Sequence, residues 1–357
     1  MDKILILKIG AIGDVVMASS MLPFLKENQD CHITWIVGKT AAPILAAAQM
    51  VDELIVVDDQ KLFKGSYFQR ILEIFKLWKK IGFSRFDLAV SCHVDIRYRL
   101  LLMPVFKKTF RFFSRKKKYI SGRYHASEYI RLLTDAEGPF CNPIQFPKLQ
   151  DSFPEHLISL FSNTRKKIAI LPGGAQNILA TNAQRRWPIV NYVRLAENLQ
   201  KDGHQILLIG ASSDAWTLPF FEKMDTINLI GKTELLELVS ILKRVDLLIT
   251  HDSGPLHLAK LAGCQTIALF GPTQPSEFLG HEPNIHYIWG GKDLSCRPCY
   301  DGKHFAKCNR NLCMEDITVE EVLTLAKKVV ASQKLNCFSF SSSSCLSFSS
   351  SDCSLQR

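Results

Sequence analysis

Residues 246–263 read DLLITHDSGPLHLAKLAG. DLLIT is a buried-strand run, His251-Asp252-Ser253-Gly254 is a polar turn, and a helical pattern follows with Pro255 near its start. A strand feeding a helix through a glycine turn is the repeating unit of a parallel α/β sheet. Working outward, KIAILPGG (167–174), QILLIG (205–210), INLIG (227–231) and QTIALFG (265–271) read as further strands. Helices fall between them, one from about 188 to 201 with Pro188 at a favoured first position. A last helix, about 318–332, is expected to pack back across the domain junction. The same alternation opens the chain. KILILKI (3–9) leads into the turn GAIGD (10–14) and the helical pattern Val15, Val16, Met17, Leu22, Phe24, Leu25. CHITWIVG (31–38), ELIVVD (53–58) and RFDLAVSC (85–92) are its next strands, with helical material around 41–50, and the basic segment 107–118 reads as loop and edge structure. The polar, proline-marked stretch 142–154 separates the two series. Two Rossmann-like α/β domains facing each other are therefore expected, at 1–150 and 151–335, followed by a Ser/Phe/Cys-rich tail at 336–357 that is predicted to be disordered.

The chain has 357 residues, a length that fits two domains. No stretch reaches the ~18 uninterrupted apolar residues of a membrane helix. Asp2, Lys3 and Lys8 interrupt the opening apolar run, so it reads as a strand entering a loop and not as a signal peptide, and a cytoplasmic protein is expected. The net charge of +10 is uneven: residues 61–131 hold 18 Lys/Arg against Glu73, Asp87, Asp95 and Glu128, and the remainder is slightly acidic. Such a half suits an anionic partner, or is simply a solvated basic face. Cys31, Cys92, Cys141 and Cys264 sit singly in apolar surroundings and read as small core residues. Cys296, Cys299, Cys308 and Cys313 are clustered, at spacings that allow a structural zinc, a disulfide or reduced thiols.

Four turns carry chemistry. In GAIGD the glycines let backbone approach a ligand. The third glycine of a dinucleotide fingerprint is missing, and Val37-Gly38-Lys39 offers no acid for a ribose, which disfavours a nicotinamide dehydrogenase. Asp14 either caps the next helix or stands at the sheet mouth as a base. In PGGAQNILATNAQRRWP (172–188), Gly173 and Gly174 end a strand, and Arg185 with Arg186 suits a diphosphate through forked hydrogen bonds. Otherwise the two arginines lie over Trp187 at the surface. In 246–263, Ser253 can cap the helix, the Gly254 end offers partial positive charge, and His257 shares a face with Ser253 or packs in the core. Thr273, in LFGPTQPSEF (269–278), either binds phosphate or ribose or closes a turn.

Together GAIGD, PGG…RRWP, HDSGPLHLAKLAG and FGPTQP, in this order, resemble glycosyltransferase family 9, the ADP-heptose:lipopolysaccharide heptosyltransferases, over about residues 3–330. The resemblance implies a GT-B architecture with the active site in the cleft between two Rossmann-like domains, an ADP-sugar donor and no required cofactor or catalytic metal. It implies that Asp14 is the general base and that Arg185 contacts donor phosphates at a position usually filled by Lys. Asp252, Ser253, Gly254 and His257 match the donor-binding D-S/T-G-x-x-H string, and Asp214 falls near an acidic ribose contact. The four clustered cysteines resemble a cysteine-rich stretch near the end of many members.

The implied reaction is an inverting transfer of heptose onto the lipopolysaccharide inner core. Gly173, Gly174, Arg185, Arg186, the Ser253–Gly254 helix end and Thr273 would hold the diphosphate. The basic first domain would hold the anionic lipid glycan, with Gly13, Arg97, His125, Lys116 and Lys117 as acceptor-side candidates and Asp95 and His125 as the reserve bases. Peripheral contact with the inner membrane is expected, and no nucleic acid. The alternatives are a same-fold transferase using another nucleotide sugar, a nucleotide-sugar epimerase, or a non-catalytic glycan-binding relative.

Overall fold

A computed structural model describes residues 1–114, 119–137, 143–151, 153–176, 181–300 and 305–336, with side chains through 332. Lys116, Lys117, Cys141 and the tail beyond 336 lie outside the described residues. The first unit contributes β1 (Asp2–Leu7), β2 (Cys31–Gly38), β3 (Glu53–Val57), β4 (Arg85–Ser91) and β5 (Phe106–Phe112). The second contributes β6 (Lys167–Ile170), β7 (Gln205–Leu208), β8 (Thr226–Asn228), β9 (Leu247–His251), β10 (Thr266–Phe270) and β11 (Ile285–Trp289). Every pairing between these strands is parallel. β1 and β6 are apolar at consecutive positions because helices cover both faces of each sheet.

The strand orders are β3-β2-β1-β4-β5 and β11-β10-β9-β6-β7-β8. In both sheets the chain winds outward one way and then returns to wind out the other way. The reversals fall between β1 and β4 (Ile4 beside Leu88) and between β6 and β9 (Ile168 beside Leu247). At such a switch point the flanking loops diverge and leave a crevice at the carboxyl ends of the strands, where ligands bind in open α/β sheets. The turns at 10–14 and 171–176 and the loops starting at Cys92 and Asp252 all leave those strand ends.

The two units share their cores. Val16, Ile44 and Ala48 of the first join Leu238, Leu242 and Leu258 of the second, while Leu256, Phe270 and Phe278 join Ile4, Trp35 and Tyr129. Helix Ile12–Ala18 lies against helix Gly254–Ala262. This contact requires glycine: a Cβ on Gly13 would overlap His257 Cδ2 and stand 2.9 Å from its Nε2.

Several expectations need correction. The last helix, Val319–Asn336, does not cross the junction. Val322, Ala326, Val329 and Val330 pack it onto the second sheet beside helix Ile189–Lys201. Pro188 precedes that helix as its N-cap instead of opening it. β11 has no counterpart in the sequence reading, since it is a mostly part-exposed edge strand in which His286 breaks the continuous apolar run used to find strands. The edge character expected near 107–118 is real, as β5 is the outer strand of its sheet.

Gly13→Ala should lower stability by about 1–3 kcal/mol, the usual cost of overpacking a close contact. His257→Ala added to it should recover part of the loss. Urea unfolding of both single variants and the double variant measures this coupling, and simple additivity would show that the two positions do not touch.

Candidate functional site

The Asp14 carboxylate is not the helix cap. Ala11 occupies that position, no side chain caps the helix, and Asp14 lies in its first turn. Its Oδ2 instead accepts from Lys8 Nζ at 3.1 Å. Lys8 is buried where β1 ends, also lies 5.3 Å from the Tyr129 ring, and so holds Asp14 from below while the carboxylate stays partly open to solvent. A charged residue inside the run KILILKI was the available signal for Lys8.

Across the junction, Asp252 Oδ2 accepts from Thr273 Oγ1 at 2.9 Å and pairs with Arg185 at 3.3 Å. Three candidates from separate turns thus meet at one carboxylate oxygen, although Asp252 is only 1% exposed. Ser253 does sit at the N-cap of its helix, but its hydroxyl accepts no capping hydrogen bond from the helix's first amides. It bonds the His251 carbonyl at 3.0 Å and shares a 3.1 Å hydrogen bond with Thr250, which leaves the helix's amides to other partners.

Arg186 and Asp214 act on the 171–176 turn. Arg186 donates twice to the Gly174 carbonyl, at 3.0 and 2.8 Å, and stacks on Trp216, whereas Trp187 is buried with its indole bonded to Ile317. The surface-arginine reading over Trp187 therefore fails. Asp214 is buried, with its two oxygens accepting from Gly174 N at 2.7 Å and Ala211 N at 2.9 Å. A Cβ on Gly173 would stand 2.5 Å from the Asp214 carboxyl carbon, and Gly174 takes φ +76°, so each glycine answers a specific constraint.

Among the described residues, the buried side-chain polar atoms without a protein partner include Arg185 Nε, His251 Nε2 and His257 Nδ1. Leaving such a group unpaired is costly, so three together at one switch point mark a site built for something besides the fold. His251 was read only as part of its string. It is fully buried, with Nδ1 3.1 Å from the Tyr192 hydroxyl, and its Nε2 lies 3.6 Å from where a Cβ on Gly174 would be. Burial brings its pKa down to about 3, helped by Arg185 and Arg186. Burial also holds His257 well below the usual histidine range, with Lys260, Arg185 and His125 adding to it. Both rings are neutral near pH 7.

Of the candidates expected on the acceptor side, His125 starts helix His125–Thr134, stacks edgewise on Phe278 at 5.0 Å, and is lowered by burial while Asp14 and Glu277 pull the other way. It stands in the junction near Asp14. Arg97 does not: its exposed guanidinium forks onto Asp95, at 2.6 Å for the shortest contact. That fork also occupies Asp95. The second unit clamps the 121–125 segment from outside. Glu277 accepts from Ser121 and Gly122, and buried Lys260 meets the Tyr124 hydroxyl at 2.7 Å, Glu282 at 3.0 Å and the Phe278 carbonyl. Cys296, Cys299, Cys308 and Cys313 are free thiols, and no three His, Cys, Asp or Glu side chains among the described residues are arranged to hold a metal.

Two facing parallel α/β units, with polar loops converging at both switch points, define a glycosyltransferase of the GT-B class. The chain belongs to glycosyltransferase family 9 (heptosyltransferase), which residues 106–309 match. It is 25% identical over 354 residues to the lipopolysaccharide core heptosyltransferase OpsX of Haemophilus influenzae, covering 91% of this chain and 96% of that one. Among solved structures it resembles the family 9 glycosyltransferase of Veillonella parvula, with TM-score 0.72, 20% identity, and 93% and 97% of the two chains covered. It also resembles the ADP-heptose lipopolysaccharide heptosyltransferase II of Escherichia coli, with TM-score 0.68, 20% identity, and coverage of 93% and 99%.

The buried neutral histidines set an acid limit on stability. His251, His257 and also His93 have folded pKa values below the unfolded value of about 6.5. As pH falls through 6.5, the unfolded chain takes up protons that the buried rings refuse, and unfolding becomes easier. The urea midpoint should therefore fall between about pH 7 and pH 5, less steeply in His251→Gln than in the wild type. A flat midpoint would contradict neutral burial.

Proposed function

We propose that the protein transfers heptose from ADP-heptose to the inner core of a lipopolysaccharide precursor with inversion at the anomeric carbon. The reading is supported chiefly by the seating of His257 against Gly13, which brings the Asp14 turn of the first unit onto the Asp252 loop of the second. The named activities of the relatives support the donor and acceptor: OpsX is a lipopolysaccharide core heptosyltransferase, and the E. coli structure is an ADP-heptose transferase.

The second unit, about residues 151–335, holds the donor nucleotide. Arg185 and the N-terminal end of helix Gly254–Ala262 face the diphosphate, where they offset charge growing on the leaving group. Asp252 and Thr273 position Arg185, and the neutral His251 and His257 leave no competing cation in the loop core. Arg186 and Asp214 set the 171–176 turn that approaches the donor. Asp14 takes the proton from the acceptor hydroxyl. Its partner Lys8 orients the carboxylate. The basic first unit, about residues 1–150, receives the anionic acceptor, with His125 beside Asp14 in the junction and peripheral contact at the inner face of the membrane.

Asp14→Asn keeps the side chain's shape while removing its basicity. Because Asp14 is not a cap, helix capping does not confound the comparison, and the melting temperature checks the loss of Lys8's countercharge. Turnover should fall by about 100- to 10,000-fold, with the affinity for ADP-heptose unchanged in calorimetry. Near-normal turnover would remove Asp14 as the base. Arg185→Gln should give the converse, weaker nucleotide binding, with circular dichroism checking that the fold persists although buried Asp252 loses its cation. Unchanged affinity there would separate Arg185 from the diphosphate.

A further inference from the structure

The first unit carries an apolar stripe on a face turned away from its core. Helix Tyr67–Ile81 seats Leu77 and Ile81 against β3 and β4. A surface helix ordinarily turns its other side, polar, to water. Here Phe68, Leu72 and Phe75, at spacing i, i+4 and i+7 and so on one face, are 74%, 43% and 58% exposed. Lys79 continues the stripe at i+11, and Lys76 and Lys80 flank it. Beside it is a hollow of about 370 Å³ whose lining includes Val56, Lys76, Lys79 and Lys80.

The stripe is not isolated. Phe83 and Phe106 are exposed with ring centroids 6.2 Å apart, and Leu100 and Met103 are exposed on the neighbouring segment. Leu101, Leu102 and Val105 of that segment enter the same core cluster as Leu77 and Ile81, so both segments cover the same face of the first sheet. More than half of the exposed large apolar side chains among the described residues fall between Tyr67 and Phe106. Residues 67–108 carry nine Lys/Arg against three acids. Each of those acids is already paired inside the layer: Glu73 with Lys76, Asp87 with Lys108 and Asp95 with Arg97.

We propose that this layer docks on an anionic lipid bilayer. Helix Tyr67–Ile81 lies along the interface with Phe68, Leu72 and Phe75 at the headgroup–acyl boundary, and the flanking lysines reach lipid phosphates. An apolar stripe interleaved with lysine is the composition that interfacial helices use. It suits a second copy of the chain poorly, because a symmetric contact would set the basic layer against itself and lysine is depleted from protein interfaces. The inference deepens the lipid-borne acceptor reading and rests on it for its purpose, but its primary test is independent of turnover.

The full chain is floated with vesicles of phosphatidylethanolamine and phosphatidylglycerol, and with phosphatidylcholine alone. Binding to the anionic vesicles is expected, weakened but not abolished by salt that screens charge beyond about 10 Å. The variant Phe68→Ser/Leu72→Ser/Phe75→Ser, with its melting temperature checked, should lose partition on the order of 100-fold. It should also lose turnover on a vesicle-embedded acceptor while retaining turnover on a water-soluble deacylated one. Absence of turnover by the wild-type protein on either acceptor, with its vesicle binding intact, would count against the transfer reading and leave docking standing. Absence of vesicle binding, or partition untouched by the triple variant, would overturn the docking proposal. So would a wild-type dimer in sedimentation that the variant converts to monomer, since a second copy would then be the occupant.

Discussion

Helix Ile12–Ala18 packs against helix Gly254–Ala262 with the His257 ring occupying the space that a side chain at Gly13 would fill. Much else in the molecule depends on that fit. Residue 14 follows the glycine and residues 252–254 open the partner helix, so one steric contact fixes the Asp14 turn relative to the Asp252 loop. The clamp of Lys260, Tyr124 and Glu282, together with Glu277 on the 121–122 backbone, secures the same junction farther out. Burial brings Lys260 down to about 8, with Glu282 pulling against it, so the pair carries a desolvation cost. A buried ion pair of this kind is better suited to specifying one arrangement of the two units than to adding net stability.

Around the second switch point the polar groups divide into two sets. Arg186 and Asp214 are satisfied by backbone and shape the 171–176 turn. Arg185, His251 and His257 each keep one polar atom without a protein partner. In a low-dielectric interior the first arrangement rigidifies a loop and the second is tolerated where binding completes it. The neutrality of the two histidines matters here, since a protonated ring beside Arg185 would add like-charge repulsion to a part-buried guanidinium.

Charge and apolar exposure divide the labour between the units. The first holds the basic segment 61–131 and carries aromatic side chains on its outer layer, while the chain outside that segment is slightly acidic. No helix among the described residues is long and apolar enough to cross a membrane. Attraction over a Debye length and shallow insertion of a few side chains are both reversible, in keeping with the docking proposed for the outer layer of the first unit.

The sequence by itself determined the strand-to-helix alternation, the two-unit plan and the four turns, because continuous apolar runs ending in glycine are enforced by local chemistry and burial on both faces. It also brought together Arg185, Asp252 and Thr273 as candidates, since all three sit at strand ends of one sheet. Tertiary structure alone decided which side chains spend their polarity on the fold. Asp14 became Lys8's partner instead of a cap, Asp214 was taken up by two amides, and His257 by a glycine more than two hundred residues away. β11 and the resting place of the last helix were decided the same way. A hydrogen bond or a ring seated on a missing side chain depends on where distant strands end, and spacing along a chain carries no record of that distance.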